Sequence, residues 1–376
     1  MNWKKWFDTF LAMGIGVCAA KEERLTIAEC DASMGARGEK NEDAALIWRN
    51  ADAEPMELTG FHWYGKDKKF CRLPLELDPA ITPEVKSLAW NTAGGKLRFR
   101  TDSKRVVVRV KLSSNSTMPH MAATGSNGFD LYVGEPGKEV YFNTTKCADE
   151  EYDFTLFECE SREMHTITIN FPLYQGVDSL QIGLYRDAQL LPPEPLKQYV
   201  AVYGTSVTQG GCAARPGMAY TNILSRRMQR HFYNYGFSGS GKGEPEMAHL
   251  MAQLDPALYL LDFQNNAGKD YLPNLKVFLQ ILRKAHPETP IVVFSTYFRP
   301  RTSEAYYRDM AEKQRAVVEE FIQSGDRNIY SLEGSCAMDP YRYEGTVDGS
   351  HPTDLGFMLL ANFFQPVLEP LLKDRE

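Results

Sequence analysis

A serine, a glycine, an asparagine, an aspartate and a histidine in the second half of this 376-residue chain have the types and order that acyl transfer through an activated serine requires. Ser206 stands in Gly204-Thr205-Ser206 and Gly239 in Tyr235-Gly236-Phe237-Ser238-Gly239. Asn266 ends Asp262-Phe263-Gln264-Asn265-Asn266, and the last pair lies in Asp348-Gly349-Ser350-His351. A carboxylate three residues before a histidine in a turn can reach back to the ring, set its tautomer and stabilise the imidazolium. His351, oriented by Asp348, would then take the proton of Ser206 as the hydroxyl attacks a carbonyl. Negative charge building on the carbonyl oxygen must meet preorganised N–H groups, a need that the backbone N–H groups of Ser206 and Gly239 and the side-chain amide of Asn266 fit. Singly, each has a plainer reading: a serine after a strand caps a helix, a glycine makes a turn, a histidine packs in a core. The chemistry rests on their convergence.

Convergence depends on the elements that carry them. Apolar runs at 199–203, 232–236, 257–263, 290–295 and 328–332 alternate with helix-period segments, among them Tyr220 to Arg230 and Leu275 to Ala285. Pro216 and Pro245 stand where first-turn prolines are expected. This pattern predicts a flavodoxin-like parallel sheet flanked by helices, whose strands all end on one side, so that Ser206, Gly239 and Asn266 face one another. A long loop from Ser331 leads to Asp348 and the last helix, a length that suggests a task.

Upstream, from about Leu46 to Tyr185, the period is two. Leu97 and Phe99 alternate with Arg98 and Arg100, and the alternation returns at Ile167, Ile169 and Phe171 and at Leu180, Ile182 and Leu184. Short strands and turn clusters predict an antiparallel β-sandwich or jelly roll. Pro192-Pro193-Glu194-Pro195 cannot continue a ladder and marks the boundary. The expected organisation is a signal peptide over 1–20, a sandwich over 25–191, a linker over 192–196 and a catalytic domain over 197–376.

The signal reading rests on Lys4 and Lys5, the mostly apolar run Phe10 to Ala20, and the charged Lys21, Glu22 and Glu23 that follow. Asp8 and Thr9 interrupt the run, which leaves an amphipathic first helix as the alternative. The run is too short to span a bilayer, and no other stretch is long enough. With 43% hydrophobic residues the chain can build a packed core, and 42 basic against 49 acidic residues with no basic stripe argue against a nucleic-acid partner. No His-Glu-x-x-His, paired-cysteine spacing, calcium loop or phosphate-cradling glycine loop is present, so no metal or cofactor is expected. The cysteines outside the signal fix no connectivity: Cys147 and Cys159 could bridge a hairpin, but scattered buried thiols are the simpler reading.

These residues resemble the serine, glycine, asparagine and Asp-x-x-His blocks of the SGNH, or GDSL, hydrolases. Gly128-Phe129-Asp130-Leu131-Tyr132 is similar to the Gly-x-Asp-Leu-Tyr motif of the two-domain branch in which a sandwich precedes the hydrolase, and the stretch Gly210 to Tyr220 is similar to that branch as well. Thr205 departs from the usual aspartate of the serine block, and Gln264 and Ala267 replace the glycine and aspartate that usually flank the asparagine. The resemblance implies a serine esterase acting on small acyl groups, acetyl foremost, carried by a saccharide. Two alternatives stand beside it: an acyltransferase using the same acyl-enzyme, and a non-catalytic carbohydrate-binding protein on a hydrolase fold. The sequence specifies neither the sugar nor the oligomeric state.

Three further residues draw attention and have plainer readings. Arg215 reads as a solvated ion pair, Cys212 as a small core residue without a histidine nearby in sequence, and His120, in Met118-Pro119-His120-Met121, as a packed histidine between domains.

Overall fold

The computed structural model describes residues 25–36, 38, 43–146 and 148–373. The chain divides into two units, Met1–Ala36 and Arg37–Glu376. In the first, Thr26 and Glu29 form a capping box on a short helix, Ile27–Cys30. The expected signal over 1–20 lies outside the described residues.

Among the described residues the second unit holds three sheets. The first, antiparallel, runs in the order β1 (Leu46–Asn50), β9 (Val177–Tyr185), β4 (Arg105–Leu112) and β7 (Glu151–Glu158). In the second, β2 (Glu57–Thr59) and β10 (Leu190–Leu191) share one edge of β3 (Lys96–Thr101), followed by β8 (His165–Asn170), β5 (Asp130–Val133) and β6 (Val140–Thr144). Their inner faces interdigitate: Leu97, Phe99, Leu131, Ile167 and Ile169 from one sheet pack with Val106, Val108, Leu180, Ile182 and Leu184 from the other. The period-two alternation thus lines a sandwich core.

The outer face of the second sheet is polar, yet it is buried. Lys96 and Arg98 are almost fully enclosed. Lys96 donates to the Ser225 hydroxyl, and Arg98 pairs with Glu57 at 2.6 Å. Glu57 and Thr59 in turn meet the two ring nitrogens of His231. Burial, reinforced by Arg226, pulls the Lys96 amine down to about 7. Residues 192–196 are irregular, and Arg98 holds the Glu194 carbonyl at 2.9 Å.

The third sheet is parallel, in the order β12 (Arg230–Gly236), β11 (Lys197–Gly204), β13 (Leu258–Asp262), β14 (Ile291–Phe294) and β15 (Ile329–Leu332). This 2-1-3-4-5 order is that of flavodoxin-like sheets, with the chain reversing its direction of addition between β11 and β13. Tyr220–Met228 and Asp354–Leu371 are among the helices covering one face; Pro245–Met251, Tyr271–Ala285 and Glu304–Gln323 cover the other. Pro216 and Pro245 open a 3₁₀ turn and a helix as expected. Cys71, Cys159, Cys212, Cys30 and Cys336 are free thiols; the last two are exposed, contrary to the buried-thiol reading, and Cys147 lies outside the described residues.

Candidate active site

The turn from β11 into the short helix Ser206–Gln209 leaves no room for a side chain at Gly204. A Cβ there would lie 2.1 Å from Thr208 Oγ1 and 2.5 Å from the Asp262 carbonyl. Thr205 accepts the Val207 N–H at 3.3 Å and caps that helix. The residue that departs from the family aspartate therefore still supplies a capping oxygen. Ser206 follows with only 7% of its surface exposed.

The Asp348–His351 turn is tied at both ends. Thr346 bridges Pro352, the Val347 N–H donates to the His351 carbonyl, and the Thr353 N–H donates to the Gly345 carbonyl. Tyr297 donates to the Ser350 carbonyl at 2.5 Å, and the Cys212 N–H reaches the Pro352 carbonyl at 2.9 Å. Within the turn, Asp348 Oδ1 accepts the backbone N–H groups of Ser350 and His351 at 2.9 and 2.7 Å. Its Oδ2 lies 2.8 Å from His351 Nδ1. His351 Nε2 lies 3.0 Å from Ser206 Oγ. Partial burial would raise the Asp348 carboxyl, but the hydrogen bonds from the His351 and Ser350 backbone and from the His351 ring outweigh it and hold the group at about 2. An ionised Asp348 beside Nδ1 favours the tautomer with the proton on that nitrogen, which turns the Nε2 lone pair to the serine.

On the facing loops, Gly239 follows β12 with φ of +69° and open space where a Cβ would stand. Backbone conformation rather than crowding calls for glycine there. Asn266, in the short helix Gln264–Ala267 after β13, donates to the Phe237 carbonyl at 3.3 Å and so links the two loops. The other departures from the family blocks have structural partners. Gln264 accepts the Thr296 N–H at 3.0 Å, joining the β13 and β14 loops, and Ala267 is buried among the apolar side chains of the core.

Several supporting residues gave no signal in the sequence. Gln209, fully buried, accepts the Ser238 N–H at 3.0 Å and donates to Asn91 Oδ1 at 3.0 Å and to the Leu173 carbonyl at 3.1 Å. It thereby clamps the Gly239 loop to the Ser206 helix and to the sandwich. Arg72, also fully buried, caps the carbonyls of Asn234, Gly236 and Leu88 at 3.0, 2.6 and 2.6 Å. Asn234 adds a bond to the Thr208 carbonyl at 2.6 Å. Behind Ser206, Asp262 accepts from Thr208 at 3.0 Å, and burial pushes its carboxyl up to about 7.

Two plainer readings change, those of Arg215 and His120, while Cys212 is the small core residue expected, buried in an apolar cluster. Arg215 is a half-buried partner of the fully enclosed Asp130 of the Gly-x-Asp-Leu-Tyr motif, at 2.9 Å, with Tyr132 also accepting from it, so the motif pins the loop after Ser206. Folding also brings two histidines to Cys212. His120 is exposed rather than packed, its ring edge-on to His351 at a centroid distance of 5.6 Å.

The fold is that of a GDSL-type hydrolase, and comparison with known proteins agrees. The sequence profile of the GDSL-like lipase/acylhydrolase family matches residues 197–369, and that of the GxDLY N-terminus of SGNH-hydrolase-type esterases matches residues 46–190. A crystal structure described as a GDSL-like lipase from Bacteroides ovatus ATCC 8483 is 30% identical, with 87% of this chain and 98% of that chain covered and a TM-score of 0.79. The chain belongs to the GDSL-like lipase/acylhydrolase (SGNH hydrolase) family, in the branch with a GxDLY N-terminus. The salicylyl-acyltransferase of a tetracycline biosynthetic pathway shares the fold at 21% identity and a TM-score of 0.72, covering 87% of this chain and 98% of that one. An acetyl xylan esterase from the rumen bacterium Butyrivibrio proteoclasticus does so at 12% identity and a TM-score of 0.58, covering 88% and 99%. No curated protein sequence matches the chain. No described helix is long and apolar enough to cross a membrane.

Proposed function

We propose that the protein is a metal-independent serine esterase that removes acetyl or similarly small acyl groups from a saccharide. The observation that carries this reading is the continuous chain from Asp348 through His351 to Ser206, with contacts of 2.8 and 3.0 Å. Ser206 attacks the ester carbonyl as Nε2 of His351 takes its proton, and Asp348 stabilises the imidazolium. The Ser206 and Gly239 N–H groups and the Asn266 amide receive the charge on the oxygen. The imidazolium protonates the departing sugar oxygen as its bond to the carbonyl carbon breaks, so that the sugar leaves as an alcohol and an acyl-serine remains. A water deprotonated by His351 then attacks that ester, and the serine oxygen regains its proton as the acid leaves.

The saccharide is suggested by the acetyl xylan esterase that shares the fold, and export through residues 1–20 would suit such a substrate. The division into a sandwich over 25–191, a linker over 192–196 and a catalytic domain over 197–376 belongs to the same proposal.

The test is acetate release from p-nitrophenyl acetate and from a panel of acetylated xylan and pectin oligosaccharides, with an acceptor alcohol added in parallel. Acetate formation that outpaces acyl transfer to the acceptor supports the hydrolase. Transfer that dominates at modest acceptor concentration would make the protein an acyltransferase, and saccharide binding without turnover would make it a binding protein.

A further inference from the structure

Around the proposed proton relay lies a cluster of donors, two of which, His120 and Cys212, ester hydrolysis does not use. His120, Cys212 and His351 each bring one ligand atom, a ring nitrogen or the thiol sulfur, to within 4.8 Å of the other two. They come from three separate stretches of chain. His120 sits on the tight turn between Met118 and Met121, which bridge each other, and Met121 is buried in the same apolar cluster as Cys212. Cys212 is itself fixed by its N–H bond to the Pro352 carbonyl, directly after His351.

We propose that this cluster is an inhibitory binding site for zinc or a similarly borderline-soft divalent cation. Two imidazoles and a thiolate form a donor set suited to zinc and poorly suited to magnesium or calcium, which prefer oxygen. Tetrahedral zinc, with bonds of about 2.0–2.1 Å to nitrogen and 2.3 Å to sulfur, needs donors roughly 3.3–3.7 Å apart. Closure from at most 4.8 Å is a movement of about 1–1.5 Å, within reach of side-chain rotation.

The electron and proton balance is simple. The Cys212 sulfur loses its proton to solvent and donates a thiolate pair, while His120 and His351 donate ring lone pairs. For His351 the donor is Nε2, because Nδ1 is held by Asp348, an arrangement that reproduces the carboxylate–histidine–metal orientation of many zinc sites. The fourth position is left to water. Once Nε2 is bound to the metal it cannot accept the serine proton, so occupancy and hydrolysis exclude each other. The binding claim is independent of the esterase reading; only the inhibition rests on it.

The experiment is equilibrium dialysis of the full chain against zinc chloride, with cobalt(II) as a spectroscopic probe and esterase rates followed over the same titration. The expected result is one zinc per chain and a cobalt spectrum with a thiolate-to-metal charge-transfer band. Cys212→Ser should abolish that band although Cys30 and Cys336 remain. Cys212→Ser and His120→Ala, checked for native circular dichroism, should each weaken zinc binding at least tenfold, and Asp348→Asn roughly 10–100-fold. Ser206→Ala should bind as wild type does. Esterase activity should fall in step with occupancy and return on adding chelator, each variant being scored against its own zinc-free rate. Unchanged zinc affinity in Cys212→Ser and His120→Ala, or no charge-transfer band, would overturn the site. Full occupancy with undiminished hydrolysis would overturn its inhibitory role. A protein with no esterase activity at all would contradict the proposed function, and dialysis and the cobalt spectrum would still decide the site.

Discussion

Gln209→Met is a sharp test of how the site is held, because methionine keeps the volume of the buried side chain and removes its hydrogen bonds. Gln209 touches neither Ser206 Oγ nor His351; its amide ties the Ser238 N–H to Asn91 and the Leu173 carbonyl. Leaving the Ser238 N–H and the Leu173 carbonyl unsatisfied costs about 1–3 kcal/mol each, or about 2–6 kcal/mol of stability together. The released loop carries Gly239 immediately after Ser238, so one proposed oxyanion donor loses its preorganised position. Loss of one such donor lowers kcat about 10²- to 10³-fold. Because the donor acts as charge develops, KM should change far less than kcat. Urea unfolding at neutral pH gives the stability change, and p-nitrophenyl acetate hydrolysis below the unfolding transition gives kcat and KM. A variant destabilised as expected but within threefold of wild-type kcat would refute the reasoning, since the Gly239 loop would then be positioned without Gln209.

Asp348→Asn should lower kcat about 10⁴-fold with little loss of structure, because an amide favours the wrong histidine tautomer; a loss below tenfold in steady-state kinetics would remove Asp348 from the relay. The Asp348 carboxyl should titrate near pH 2 when followed by its ¹³C resonance, against the ordinary 3.8. Since folding lowers that value, the stabilising contribution of Asp348 is complete above pH 3.8 and disappears as pH falls through about 2, and a midpoint at or above 3.8 would contradict the turn geometry. Lys96 works in the opposite sense. Its amine loses a proton near pH 7 when folded and near 10.5 when unfolded, so between those values the unfolded chain binds more protons and stability should rise with pH. Lys96→Met should flatten that rise in urea unfolding between pH 7 and 9, and equal slopes would contradict a buried, destabilised ammonium.

What could be read from the sequence follows from how far apart interacting residues lie. The parallel strands were legible as apolar runs, and the structure places them within a few residues of those runs. The Asp348–His351 pair was legible because both partners sit within one turn. Loop convergence was legible because a parallel sheet puts the ends of its strands on one side. Gln209 and Arg72 were not, since each acts on backbone groups from distant stretches that no local pattern marks. The face of β3 carrying Lys96 and Arg98 alternates like a solvated surface, and only the packed structure shows it to be enclosed. Arg215 and His120 misled for the same reason: their partners, Asp130 and His351, come from remote parts of the chain. The departures at Thr205, Gln264 and Ala267 could be seen in the sequence, but their capping, bridging and packing roles could not.

Whether Ser206 is the nucleophile is decided by comparing acetate release from p-nitrophenyl acetate by the wild-type protein and a folded Ser206→Ala variant, both with chelator present. A nucleophilic Ser206 means chelator-resistant wild-type turnover and a loss in kcat of roughly 10³-fold or more in the variant, up to the order of 10⁶. A variant with native circular dichroism that hydrolyses the ester within tenfold of the wild-type rate would contradict it.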